Sequence, residues 1–305
     1  MRWEDLRRSD NVEDRRDGGG GGGGGSLPGG AAGLGIGGMI VVGLISYLTG
    51  INPAILLGGY DAATGGSQRR VEQQAPQSRP GERPADQMGD FVAAVLGSTE
   101  DAWQKIFQEA GRRYQAPGLV MFQRATRSGC GAAQSAMGPF YCPNDNKVYL
   151  DTSFFGEITT RFRGCSGDEN ACRFAYAYVV AHEVGHHVQN QMGVLQRVQQ
   201  AQRASGDEAQ SNALQVRVEL QADCFAGVWA YHTQQRYRFI DENDVRAALQ
   251  TAAAIGDDML QRRSQGYVVP DSFTHGSSAQ RQRWFTTGLR SGQISSCNTF
   301  QAREL

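Results

Sequence analysis

His182, Glu183 and His186 stand in the order H-E-x-x-H within residues 178–191, YVVAHEVGHHVQNQ. On an α-helix, residues four apart are separated by roughly 400° of rotation, so His182 and His186 project from one face and can hold one metal ion. Glu183 lies roughly 100° round from His182. That removes it from the chelating pair but leaves it within reach of a water on the ion, the place of a general base. The other positions from 179 to 188 carry no formal charge, as expected of a helix whose polar face points into a closed interior. The competing reading is a solvated or core helix that happens to carry His and Glu.

A third ligand is expected from residues 216–232, VRVELQADCFAGVWAYH, where Glu219 and Asp223 lie four apart in an otherwise apolar helical run. Buried carboxylates are costly unless paired or bound to metal. Glu219 is read as the third ligand of one Zn2+ per chain, with the fourth position left to water, the His₂Glu pattern of catalytic rather than structural zinc. Asp223 is expected to accept a hydrogen bond from the non-ligating nitrogen of His182 or His186. The exchanged assignment, with Asp223 as ligand, stays open, as does an ordinary capped or salt-bridged acidic pair. The longer H-E-x-x-H-x-x-G-x-x-H pattern is absent, since position 189 is Gln and position 192 is Met.

The elements that must position these residues follow from hydrophobic spacing. Phe91, Val92, Val95, Leu96, Trp103, Ile106 and Phe107 predict a helix over 90–114 with a break near Gly97-Ser98. Residues 119–122 and 147–150 read as short strands, with 140–142 a third, making a small sheet upstream of the H-E-x-x-H helix. An exposed edge of that sheet could take an extended peptide by strand addition, or the sheet could merely support the helix. The polar segment after residue 191 predicts a helix extension and a surface loop, turning at Ser205-Gly206-Asp207. A further helix is expected over 241–263, N-capped by Asp241 or Asn243. The final helix starts with Ser277 or Ser278 as N-cap and packs Trp284, Phe285 and Leu289 beneath it.

The chain of 305 residues has a formal net charge of −1, which indicates no broad attraction to nucleic acid. Residues 1–17 are dense in both signs of charge and poor in apolar side chains, and an unbroken glycine run follows. Residues 1–30 are therefore expected to be a disordered, charged and Gly-rich segment. Residues 31–57 contain no Lys, Arg, Asp or Glu, long enough against the roughly 20 residues of a spanning helix to predict a single transmembrane anchor. A cleaved signal peptide is disfavoured by the long charged region before the run and the lack of a clear cleavage site. The G-x-G-x-x-G at Gly33–Gly38 follows no strand and opens no βαβ pattern, so it is not read as a nucleotide site.

Residues 58–88 are a polar linker and residues 89–305 the globular domain. Arg2, Arg7, Arg8, Arg15 and Arg16 before the span, against Arg69 and Arg70 after it, predict a cytoplasmic N-terminus and a catalytic domain that is periplasmic or extracellular, at the plasma membrane. All six cysteines follow the span, an even number suited to disulfides in an oxidising compartment. Proximity suggests the pairs Cys130–Cys142, Cys165–Cys172 and Cys224–Cys297.

HEVGHH with ELQAD and HGSSAQRQRWF, together with the opening RWEDLRRSDNVEDRR, resembles the bacterial putative neutral zinc metallopeptidase family, whose members are membrane-anchored. The resemblance covers essentially the whole chain. It implies an α+β, mainly α, gluzincin-like or zincin-like catalytic domain in which a small sheet packs on the H-E-x-x-H helix, and a His-Glu-His-Glu zinc site that hydrolyses a peptide or protein substrate. In such a mechanism His275, at the junction of a loop and the final helix, could donate to the oxyanion of the tetrahedral intermediate; a capping role or an exposed turn is the alternative. One of Asp257 and Asp258 could bond a ligand or an arginine near the site, or the two could be a solvated pair. His187 and His232 carry no assignment. The rival to an enzyme is a catalytically inactive envelope binding protein stabilised by zinc and disulfides, for which Glu183 would have no purpose.

Overall fold

The computed structural model describes residues 1–16, 86–165 and 169–305. A four-stranded sheet runs in the order β1 (Val12–Asp14), β2 (Gly118–Phe122), β6 (Lys147–Asp151), β5 (Phe140–Cys142). β1 and β6 pair with β2 in parallel, and β5 pairs with β6 antiparallel. Alternation along the strands divides their side chains between two faces. Leu119, Met121, Val148 and Leu150 enter the main core, while Val120, Phe122 and Tyr149 pack on the opposite face with Ala133. Ala133 belongs to a hairpin of β3 (Ala125–Ser128) and β4 (Gly131–Gln134), which the Cys130–Cys142 disulfide ties to β5.

Eight α-helices build most of the remaining described structure: α1 (Gln87–Glu109), α2 (Ser153–Thr160), α3 (Glu169–Gln191), α4 (Val194–Ser205), α5 (Glu208–Tyr237), α6 (Glu242–Ala254), α7 (Asp257–Gln265) and α8 (Ser278–Ser291). α3 and α5 are the central pair, and both bury polar as well as apolar positions. They meet at Gly185, where an added Cβ would lie 3.0 Å from the Ala222 carbonyl oxygen and 3.1 Å from its Cα. The glycine inside the H-E-x-x-H pattern thus sets how closely the two helices approach. α5 and α8 cross at a second glycine contact. A Cβ on Gly227 would overlap the Phe285 carbonyl, and one on Gly288 the Cys224 carbonyl.

The mainly helical α+β class, the three expected strands and the three expected disulfides are present. Several expectations are corrected. α1 runs unbroken through Gly97-Ser98, because the Ser98 hydroxyl bonds back to the Val95 carbonyl and accepts from Trp229 Nε1 at 3.0 Å, which ties this turn into the core. In place of a helix extension and surface loop before α5, α3 ends at Gln191, Gly193 turns in the left-handed region (φ 71°), and a separate α4 follows; the turn expected at Ser205-Gly206-Asp207 is present, with Gly206 left-handed (φ 60°) and Asp207 capping α5. The helix expected over 241–263 is two helices, broken at Gly256, where a Cβ would collide with the Ser278 backbone. Asp241 and Ser277 each form the expected cap, in both cases as a reciprocal capping box.

Residues 1–16 depart most from expectation. They are not a disordered tail: Trp3, Leu6 and Val12 are buried in the main core, and β1 forms the edge of the sheet. Arg7, Arg8 and Arg16 are ion-paired with carboxylates at the start and middle of the domain's first helix. Among the described residues no helix is long and apolar enough to cross a membrane. The span expected at 31–57 lies outside the described residues, as do residues 17–30 and 58–85 of the expected N-terminal segment and linker.

Candidate metal centre

α3 delivers His182 and His186, and α5 delivers Glu219, to one largely buried cluster. One donor atom from each of the three lies within 4.8 Å of the others. Glu219 Oε2 is 3.2 Å from His182 Nε2 and 3.5 Å from His186 Nε2. The outward atoms of the same groups are occupied by protein. His182 Nδ1 donates to Asp223 Oδ1 at 2.8 Å, His186 Nδ1 donates to Gln189 Oε1 at 2.8 Å, and Glu219 Oε1 accepts from Gln215 Nε2 at 3.0 Å. Each imidazole is therefore held in the tautomer that leaves Nε2 for a metal. Two imidazole nitrogens and a carboxylate oxygen, converging with no fourth protein ligand among the described residues, fit an open zinc site.

The electrostatics of the cluster favour positive charge. Burial alone would lower the His182 pKa, but Asp223 and Glu219 outweigh it and push it up to about 10. His186 is likewise raised by Glu219 against the cost of its burial. Glu219 lies well below the usual carboxylate range because the histidines outweigh its burial. Protons and a divalent ion compete for the same inward-facing atoms.

Asp223 sits beneath His182, fully buried, and its two oxygens collect four donors. Besides His182 Nδ1 these are Tyr178 Oη at 2.5 Å and Arg281 through Nε at 2.9 Å and Nη2 at 2.9 Å. Arg281 Nη2 also donates to Tyr178 Oη at 3.1 Å. Arg281 and His182 hold the Asp223 pKa at about 2 despite burial, so the carboxylate is charged and tethers the ring. Of the two acids on α5, Glu219 faces the convergence point and Asp223 faces its support.

Glu183 is 7 % exposed, and among the described residues none hydrogen-bonds its carboxylate. Burial raises its pKa, against the pull of the two histidines. His275 is brought near Glu219 by the loop before α8. Asp257 Oδ2 accepts the backbone N–H groups of Thr274, His275 and Gly276 at 2.7, 2.6 and 3.0 Å, and Asp257 Oδ1 lies 3.2 Å from His275 Nδ1. His275 Nε2 has no protein partner among the described residues. Against its burial, Asp257 raises the His275 pKa.

The acidic pair at 257–258 is therefore neither a solvated pair nor an arginine partner. Asp257 organises the His275 loop, and Asp258 accepts from the Ser278 N–H and hydroxyl, both at 2.7 Å. His187 is turned away from the centre. Its Nε2 donates to the Gln115 carbonyl at 2.6 Å, and burial holds its pKa at about 4, a neutral structural ring. His232 Nε2 donates to the Gly292 carbonyl.

Sequence reasoning did not find Tyr178, Gln189, Arg281 or the Asp257–His275 pair. Tyr178 had a usable signal, since it lies one turn before His182 on the same face of the helix. Gln189 lies one turn beyond His186, at a position the sequence marks only by the lack of a third histidine. Arg281 had none, because its partner is on another helix.

The sequence profile of the putative neutral zinc metallopeptidase family matches residues 1–300. The uncharacterized protein YpfJ of Escherichia coli K12 is 46 % identical over 302 residues, covering 98 % of this chain and 99 % of that protein. The uncharacterized protein Rv2575 of Mycobacterium tuberculosis H37Rv is 43 % identical over 224 residues, 70 % of this chain and 71 % of its own length. No solved structure matches the chain.

Proposed function

Since the chain belongs to the putative neutral zinc metallopeptidase family, we propose that it hydrolyses peptide bonds with one zinc ion held by His182, His186 and Glu219, in a zincin-like domain of the gluzincin type. The observation that carries this reading is the contrast between closed and open groups at the centre. Every outward-facing atom of the three ligands is bonded to protein, while the Glu183 carboxylate and His275 Nε2 beside them have no protein partner among the described residues. A structural zinc site has no need of either.

Zinc, when bound, polarises the scissile carbonyl and lowers the pKa of its water toward about 7. Glu183 takes the proton from the attacking water, and its raised pKa suits it to hold that proton before passing it to the leaving amine. His275, oriented by Asp257, which also raises its pKa against the cost of burial, donates from Nε2 to the oxygen of the former carbonyl as negative charge develops there. Asp223, Tyr178 and Arg281 hold His182 still through this cycle. An extended peptide would lie along β5, an edge strand of the sheet next to α3. Three disulfides support work in an oxidising compartment, outside the plasma membrane.

The test is Glu183→Gln in the zinc-loaded protein, assayed on an unbiased peptide library with and without chelator. Zinc content should stay at one per chain while cleavage disappears. Cleavage undiminished by the substitution would overturn the assignment. One zinc per chain with no cleavage by the unsubstituted protein would favour a binding protein.

A further inference from the structure

Residues 1–16 supply the partners of a buried carboxylate on α1. Glu100, 6 % exposed, accepts at Oε1 from Ser9 Oγ (2.6 Å) and Asn11 Nδ2 (2.7 Å), and at Oε2 from Arg7 Nη2 (2.6 Å). Arg7 Nε also meets Asp101 at 2.8 Å, Arg8 meets Asp90 at 2.7 Å, and Arg16 meets Asp86 at 2.7 Å. Trp3 packs edge-on to Phe91, with ring centres 5.6 Å apart. The Ser9 N–H donates to the Ala93 carbonyl at 2.9 Å, and α1 carries no side chain where the segment crosses it. A Cβ on Gly97 would overlap the Arg7 carbonyl oxygen. The parallel register Val12↔Leu119 then makes the segment an edge of the sheet whose other strands flank α3.

We propose that residues 1–16 and the metal site lie on the same side of the membrane. A hydrocarbon layer about 30 Å thick cannot stand between a strand and its hydrogen-bonded neighbour, or between Glu100 and its donors. The arginines whose number favours a cytoplasmic N-terminus are engaged in the fold. Arg7, Arg8, Arg15 and Arg16 are ion-paired, and Arg2 donates to the Arg238 carbonyl. They are spent on tertiary contacts and give no vote on orientation. The charge-free run at 31–57 is long enough for one helical crossing of about 20 residues and too short for two. The three disulfides place that shared side in the oxidising compartment. This inference stands apart from the hydrolytic reading and survives its failure.

The test uses the full chain carrying either Glu4→Cys or Lys105→Cys, both exposed positions away from the metal centre. The six native cysteines are all disulfide-bonded, so the new thiol is the reactive one. Spheroplasts are treated with a membrane-impermeant maleimide before and after detergent lysis, and each variant is scaled to its own labelling after lysis. The two positions should give the same protected fraction. If one thiol labels fully in intact spheroplasts while the other labels only after lysis, the chain crosses the membrane once and the proposal fails. A second pair, Asp5→Cys and Arg303→Cys, repeats the comparison should either first variant misfold.

Discussion

Asp223 gives the sharpest test of how the centre is built, because one carboxylate does two separable jobs. It neutralises Arg281, which is 3 % exposed, and it orients His182 through Nδ1. In Asp223→Ala, Arg281 keeps its charge in a buried site and loses both carboxylate contacts. Breaking one side of such a pair costs about 3–5 kcal/mol. Measured by urea unfolding with excess chelator, so that metal binding does not add to the result, stability should fall by that amount. Zinc affinity should fall as well, by roughly 10–100-fold or about 1.4–2.7 kcal/mol, the usual effect of removing a group that orients a ligand.

The double variant Asp223→Ala with Arg281→Met separates the two effects. Replacing a buried ion pair by apolar side chains is often close to neutral, so most of the lost stability should return. Zinc affinity, read by competition with a chromogenic chelator, should stay low because His182 Nδ1 still lacks its acceptor. The reasoning is refuted if the single substitution costs less than about 1 kcal/mol, or if the double variant recovers zinc affinity together with stability.

Three further outcomes follow from the same geometry. Gly185→Val should push α3 off Ala222 and reduce zinc binding at least tenfold; calorimetric titration showing unchanged affinity would mean the close approach is not needed. Asp257 has a pKa below the ordinary aspartate value, its hydrogen bonds and His275 outweighing burial, so its contribution to stability is complete above the unfolded value near pH 4 and is lost as pH falls through the lower folded value. The stability gap between the unsubstituted chain and Asp257→Asn should therefore be fully present near pH 5 and shrink below about pH 4; a gap that grows between pH 5 and pH 3 would contradict the assignment. Cys224–Cys297 closes a separation of 73 residues, and Cys224→Ala with Cys297→Ala should cost about 4 kcal/mol in the loop-entropy account, checked by thermal unfolding.

Much of the centre was legible because its determinants are local. The four-residue spacing of His182 and His186, and of Glu219 and Asp223, fixes a shared helical face whatever the rest of the chain does. The caps at Asp241 and Ser277 likewise depend on side chains bonding their own first turn. The three disulfide pairs are those that proximity along the chain suggests. Strands β2, β5 and β6 could be read because they alternate or run apolar. β1, with the sequence Val-Glu-Asp, could not, since its pairing is with residues more than a hundred positions away.

What the sequence by itself determined was a two-histidine helix face, a carboxylate beside it, and a second helix carrying two acids suited to complete it. Those features are periodicities of 3.6 residues, and a helix repeats them without knowing its neighbours. The tertiary structure decided which acid faces the metal position and which faces Arg281, because that depends on how α5 is rotated against α3 at Gly185 and against α8 at Gly227 and Gly288. It also decided that Asp257 serves His275, and that a charge-rich opening of sixteen residues is core rather than tail. A side chain's charge shows locally only that it needs a partner. Glu100 finds its partners at Arg7, Ser9 and Asn11, which no local pattern connects to it and which only the folded chain brings together.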